Sequence, residues 1–172
     1  MVLNSLACII VCIYLGVNTQ DIQRLFSNFK NAARRFSLKT FGDIVTIDDY
    51  AHHPTEIKVT LEAARAKYPD KKLIAVFKPN TYSRTAAFTK EFADSLKIAD
   101  KVFMTEIDCN REKQEDYPGI TSSLVLKDIP DGEIIGEDDV DKLLKYQNAV
   151  ICFMSCASIS HIKDKYLSLI HI

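Results

Sequence analysis

From Asp48 to Glu56 the chain reads Asp-Asp-Tyr-Ala-His-His-Pro-Thr-Glu, which places two adjacent carboxylates, a phenol and two imidazoles in one short run. A segment built only for packing has little use for so many polar heads in one turn. Upstream, Asp43-Ile44-Val45-Thr46-Ile47 is β-branched and follows Gly42, the pattern of a short buried strand. Downstream, Pro54 suits the first position of a helix, and Glu56 adds negative charge to its first turn. The acids and imidazoles are therefore expected at the carboxyl end of a strand. Open α/β sheets hold their ligands at that edge.

The elements that must position these residues alternate along the chain. The patterns predict a hairpin of 35–41 with 44–48 turning at Gly42-Asp43, a helix over 54–67 and a strand over 72–77. A helix over 86–98 and a strand over 101–105 follow, then a polar loop over 108–119. The remainder reads as a short helix at 122–126, a weak strand at 133–135, a helix over 138–146, a strand over 149–154 and a closing helix over 159–169. Near-continuous apolar strands between helices indicate a Rossmann-like α/β fold, a mostly parallel sheet covered on both faces.

The start of the chain is different, with no charged side chain before Asp21. Leu6 to Val17 lacks the preceding Lys or Arg and the cleavage site of a signal peptide. It is also shorter than the roughly twenty apolar residues of a membrane span. A buried helix ending at Gly16 fits better, then a helix from Thr19 or Gln20 to about Lys30 with Leu25, Phe26 and Phe29 as its apolar stripe. A net charge of -1 with scattered Lys and Arg gives no support for a nucleic-acid or membrane partner. Five cysteines without metal-like spacing point to a reduced, cytoplasmic protein with no metal site of its own, and Cys8 and Cys12 read as small core residues.

The run at 48–56 closely resembles the C-terminal-domain signature of the Mur ligases, the ATP-dependent amide-forming enzymes of peptidoglycan synthesis. Three further segments agree in order and spacing. Arg34-Arg35-Phe36 resembles the family's paired-arginine motif, Phe77 through Thr85 (Phe-Lys-Pro-Asn-Thr-Tyr-Ser-Arg-Thr) resembles a segment of the alanine-adding branch, and Asn4 through Gly16 resembles the last helices of the central ATPase domain. The resemblance implies two parts: residues 1–33 as helices of a truncated central domain, and 34–172 as the amino-acid-binding C-terminal domain. No GxxxxGK[ST] phosphate loop is present, so no catalytic set is complete in this chain, which is expected to be inactive alone. UDP-N-acetylmuramate, L-alanine, ATP and Mg2+ are the ligands implied for the full-length protein. The orphaned Leu6, Ile9, Ile10, Ile13 and Leu15 would favour self-association.

By the same resemblance, Asp49 accepts from the ribose of ATP, with a helix cap as its alternative, and Asp48 is structural. Arg35 neighbours the nucleotide phosphates, while Arg34 is equally a surface charge. The amino-acid pocket gathers Tyr50, His52, Asn80, Thr81 and Arg84. Arg84 is the carboxylate anchor or else a solvated arginine, and His52 meets the amine or else packs. His53 is the capping or core histidine. This chain has Asn80 and Thr81 where the family often has His and Arg. It also has Ser155-Cys156-Ala157-Ser158 in place of a Gly-Ala-Gly-Asp loop, with Ser158 expected to cap the last helix rather than Cys156 to catalyse. Another amino-acid ligase of the family, or a binding module that kept the fold and lost the chemistry, remain as alternatives.

Overall fold

The computed structural model describes residues 2–29 and 32–170, which fall into two compact units divided between Ala32 and Ala33. The first holds α1 (Val2–Tyr14) and α2 (Thr19–Ser27). Gly16, at φ +78°, ends α1 by donating its N–H to the Ile13 carbonyl at 3.0 Å. Asn18 then caps α2 by accepting the Gln20 N–H at 2.8 Å. The expected apolar stripe of α2 is corrected. Ile22 is its buried residue, Phe26 is half-buried, and Leu25 and Phe29 are exposed. Cys8 is likewise exposed and Cys12 half-buried, so neither is a core residue. The buried helix expected up to Gly16 is corrected too: α1 ends at Tyr14 and exposes Leu6, Ile10 and Ile13, because two short helices cannot enclose more than one face. α2 also ends at Ser27, where Asn28 caps it by donating its N–H to the Arg24 carbonyl at 3.3 Å, short of the expected Lys30.

The second unit is one six-stranded sheet of β1 (Ser37–Phe41), β2 (Ile44–Asp49), β3 (Lys72–Phe77), β4 (Lys101–Met104), β5 (Glu133–Ile134) and β6 (Ala149–Met154). The spatial order is β1-β2-β6-β3-β4-β5. Only β1 runs antiparallel, paired with β2 around Gly42 at φ +58°. β2, β6, β3, β4 and β5 pair in parallel, so their carboxyl ends share one edge. β6 is buried along its whole length, as expected of a central strand covered on both faces.

One face carries α3 (Pro54–Lys67), α5 (Thr89–Leu96) and α6 (Ser122–Leu126), which close over Ile47, Leu61, Phe77, Phe92 and Met104. The other carries α7 (Asp141–Leu144) and α8 (Ser160–Ile170), packed on Ile74, Phe103, Ile151, Phe153 and Tyr166. Each fully buried aliphatic or aromatic side chain stabilises the unit by about 1.5–3 kcal/mol relative to exposure.

Three predicted elements differ. The hairpin begins at Ser37 rather than Arg35, because Arg34 and Phe36 take φ +58° and +52° and leave the ladder. The helix predicted over 86–98 starts earlier and breaks at Phe88 into α4 (Tyr82–Ala87) and α5. There the Thr85 and Thr89 hydroxyls donate to the Thr81 and Thr85 carbonyls at 2.8 and 2.7 Å, a back-bonding that bends helices. The helix predicted over 138–146 is a 3-10 turn at Glu137–Asp139 followed by α7.

Candidate functional site

Asp49 is the last residue of β2 and is nine-tenths buried. Its Oδ2 accepts the Phe36 N–H at 2.7 Å, and its Oδ1 accepts the Ala51 N–H at 2.8 Å. The carboxylate therefore pins the strap leading into β1 to the turn leaving β2. It is not a helix cap; that position belongs to His53. These two bonds use two of the roughly four lone-pair sites of the carboxylate. Asp48 faces the other way, between the Arg34 guanidinium (Nε–Oδ1 3.5 Å) and a close contact from the Lys163 ammonium, in the structural role expected of it.

The two arginines divide their work in a way that spacing does not reveal. Arg34 is half-buried, and its Nη2 donates to the carbonyls of Ser155 and of Ala157, the latter at 2.8 Å. Its own carbonyl accepts the Tyr50 N–H at 2.8 Å. Arg34 is thus a tie between the strap and the loop after β6, not a surface charge. Arg35 is exposed, its guanidinium 5.1 Å from the centroid of the Tyr50 ring. This is a cation–π contact shared with Arg34, whose guanidinium lies 5.4 Å from the same centroid.

Tyr50 and His52 meet edge to face at 5.3 Å. His52 Nδ1 lies 2.9 Å from the Tyr50 carbonyl and 3.2 Å from Glu56 Oε2. Both neighbours are acceptors, which assigns a proton to Nδ1. Glu56 also accepts the His52 and His53 N–H groups at 2.9 and 3.2 Å, while His53 accepts from Thr55, which completes a capping box on α3. Burial would raise the Glu56 carboxyl, but these N–H donors, His52 and Arg35 hold it below the ordinary glutamate range.

Asn80, Thr81 and Arg84 stand at the carboxyl end of β3 and on α4, all half-buried. Thr81 precedes α4 without capping it, and its buried Oγ1 has no hydrogen-bond partner among the described residues. Arg84 makes no ion pair at salt-bridge distance among the described residues, although the Glu112 carboxylate feels its charge. Glu112, which sequence reasoning missed, accepts the Ser83 N–H at 3.0 Å; the Ser83 hydroxyl and N–H hold its carboxyl below the ordinary range. Nothing in its polar loop sets it apart.

These residues form two groups: Arg35, Asp49, Tyr50 and His52 at the end of β2, and Asn80, Thr81 and Arg84 at the end of β3. No hydrogen bond or ion pair among the described residues joins them. They share one edge with β6 between, so two strand spacings, about 10 Å, separate the strand ends. His53 against the Phe88 ring at 4.9 Å ties the base of α3 to the α4–α5 bend. Between the groups lies the loop after β6. Ser155 donates its N–H to the Asp49 carbonyl at 3.2 Å and its hydroxyl to the Lys78 carbonyl at 3.0 Å, and Ser158 Oγ accepts the Ser160 N–H at 3.3 Å near the start of α8. The buried Cys152 thiol is pushed up by burial and then by Asp49, which rules it out as a nucleophile. Among the described residues no cluster of three or more side chains could hold a metal ion, and no helix is long and apolar enough to cross a membrane.

A mostly parallel sheet covered by helices on both faces, with a carboxylate, an arginine and an imidazole grouped at its carboxyl edge, defines an α/β domain of the Rossmann-like class. Residues 34–154 match the family model described as "Mur ligase, glutamate ligase domain", and the chain belongs to the Mur ligase family. It is 45% identical over 98% of its length to a UDP-N-acetylmuramate–L-alanine ligase of Limosilactobacillus reuteri, covering 38% of that protein. A ligase of the same name from Lactiplantibacillus plantarum is 48% identical over 96% of the chain, which again spans 38% of the relative. Among solved structures, the UDP-N-acetylmuramate-alanine ligase of Thermotoga maritima superposes with a TM-score of 0.78 at 24% identity, over 99% of this chain and 37% of that one.

Proposed function

We propose that this chain is the amino-acid-binding portion of an ATP-dependent UDP-N-acetylmuramate–L-alanine ligase of peptidoglycan synthesis, working in the cytoplasm. The observation that carries the reading is the 45% identity to the Limosilactobacillus reuteri ligase across 98% of the chain. In this reading the full-length protein phosphorylates the lactyl carboxylate of UDP-N-acetylmuramate with ATP. The alanine amine attacks the acyl phosphate, and phosphate leaves from the tetrahedral intermediate. Residues 1–33 belong to the central ATPase domain, and residues 34–172 deliver the amino acid and close over the nucleotide.

The chain's own residues then have positioning roles. Arg35, exposed beside the Tyr50 ring, meets phosphate oxygens. Asp49 accepts from the ribose hydroxyls. His52 Nε2 accepts a hydrogen bond from the incoming amine, while Arg84 takes the amino-acid carboxylate and Thr81, with its unpartnered hydroxyl, and Asn80 line the pocket. Holding reactants in a near-attack geometry can supply about 7–11 kcal/mol of a barrier. The residues described here do not form a magnesium site by themselves; magnesium, which offsets phosphate charge, is assigned to the rest of the full-length protein. A second reading, another amino-acid ligase of the family, is left open by Asn80 and Thr81, which stand where the family often has histidine and arginine.

A chimera tests the reading. The matching segment of the Limosilactobacillus reuteri ligase is exchanged for this chain, and phosphate release is followed with UDP-N-acetylmuramate, ATP and L-alanine. Turnover dependent on all three is expected, with a raised KM for alanine in Arg84→Ala. A folded chimera that turns over with a different amino acid, or not at all, overturns it.

A further inference from the structure

We propose that a cavity of about 250 Å³ at the carboxyl edge of β3, β4 and β5 binds a small aliphatic carboxylate, anchored on the Lys78 ammonium in place of the Asp108 side chain. The inference goes beyond the ligase reading and does not depend on it.

Lys78 follows β3 and is only 6% exposed, an unusual burial for a lysine. Its backbone is fixed on both sides: the N–H donates to the Met154 carbonyl at 3.0 Å, and the carbonyl accepts the Ser155 hydroxyl at 3.0 Å. The ammonium has three hydrogens to place, and Asp108 Oδ2 at 2.8 Å is its one acceptor among the described residues. A buried ammonium must keep a charged acceptor, and the one it has comes from a surface loop rather than from the sheet.

Asp108 is a poor permanent partner. Its side chain is 66% exposed on the polar loop after β4, so its carboxylate gives up little by returning to water. A buried cation facing a carboxylate that stays mostly in water is an exchangeable pair. An incoming carboxylate takes over the same charge-assisted bond with the same geometry.

The walls define the rest of the ligand. Ile135 and Ile162, both buried, line the cavity with apolar surface and suit a short branched chain. Glu106 and His161 also line the cavity with opposite tendencies toward an anion, so the apolar isoleucine walls are what favour an aliphatic acid over phosphate.

The test uses the isotope-labelled chain as it stands, titrated with isovalerate, acetate and inorganic phosphate while amide shifts are followed by NMR. Saturable shifts are expected at Lys78, Thr105, Ile135 and Ile162, with isovalerate binding more tightly than acetate. Lys78→Met should abolish them, and Asp108→Asn should tighten isovalerate several-fold by removing the competing carboxylate. An absence of saturable shifts, equal binding in Lys78→Met, or phosphate binding more tightly than isovalerate would each overturn the proposal. If Lys78→Met does not fold, Asp108→Asn decides alone, and unchanged or weaker affinity sinks the idea. None of these readouts involves ATP or turnover, so the ligase reading stands or falls separately.

Discussion

Replacing Asp49 by Asn separates a structural carboxylate from one that serves a ligand alone. The side chain accepts two backbone N–H groups, from Phe36 at 2.7 Å and Ala51 at 2.8 Å, in a site nine-tenths shielded from water. Asparagine is nearly isosteric but offers one acceptor oxygen, and its amide nitrogen must then face the other N–H. One buried donor loses its partner, which costs about 1–3 kcal/mol, and the surviving bond loses its charge assistance, for a total of about 2–4 kcal/mol. For a domain of this size that corresponds to a fall in Tm of roughly 6–15 °C. Urea unfolding of the chain, followed by far-UV circular dichroism with and without the substitution, measures the difference. Glu62→Gln is the control, since its 3.9 Å pair with Lys58 is solvent-exposed and worth little. A loss below about 0.5 kcal/mol, the range of an ordinary surface change, would refute the pinning of the strap by Asp49 and return the residue to ligand contact alone.

Acid stability should report on Asp100. Burial raises its carboxyl, but the Arg65 guanidinium at 2.7 Å and the Leu73 N–H overcome this and hold it below 3.8. A depressed carboxyl contributes stability above its ordinary pKa and loses it as pH falls through the folded value. Asp100→Asn should therefore be less stable than the parent at neutral pH and converge with it as the carboxyl protonates in acid; a constant difference from neutral pH into acid would contradict the linkage. Native-state alkylation followed by intact mass and peptide mapping should label exposed Cys8 and leave buried Cys152 unmodified, and early labelling of Cys152 would contradict its burial. Deleting residues before Thr19 removes exposed Leu6, Ile10, Ile13 and Leu15 and should leave a folded α/β domain that elutes as a smaller species in size-exclusion chromatography; loss of the folded signal would show that α1 is integral to the core.

Local signals made most of the architecture legible. The β-branched runs at 44–48, 72–77 and 149–154, and the Pro54 and Glu56 start of α3, carry their periodicity and caps within a few residues, and the strands and helix lie where those signals place them. Short-range chemistry has short-range causes. The family, too, was readable, because the polar run at 48–56 and the segment from Phe77 to Thr85 are contiguous motifs.

What sequence could not supply was the work done by contacts between distant segments. Arg34 and Arg35 are identical neighbours in sequence. Yet the positive φ of Arg34 turns its guanidinium onto the carbonyls of Ser155 and Ala157, more than a hundred residues away, and leaves Arg35 on the outside against Tyr50. Asp49 reads as a ligand or cap residue until the strap at Phe36 is brought to it, and Lys78 reads as an ordinary lysine until β6 and the loop after β4 enclose it. The contact of the His53 ring with Phe88 at the α4–α5 bend likewise joins segments that are distant in sequence. Burial and hydrogen-bond partnership are properties of the folded surroundings, so the identity of a polar residue states what bonds it can make, and only the tertiary structure decides which of them it makes.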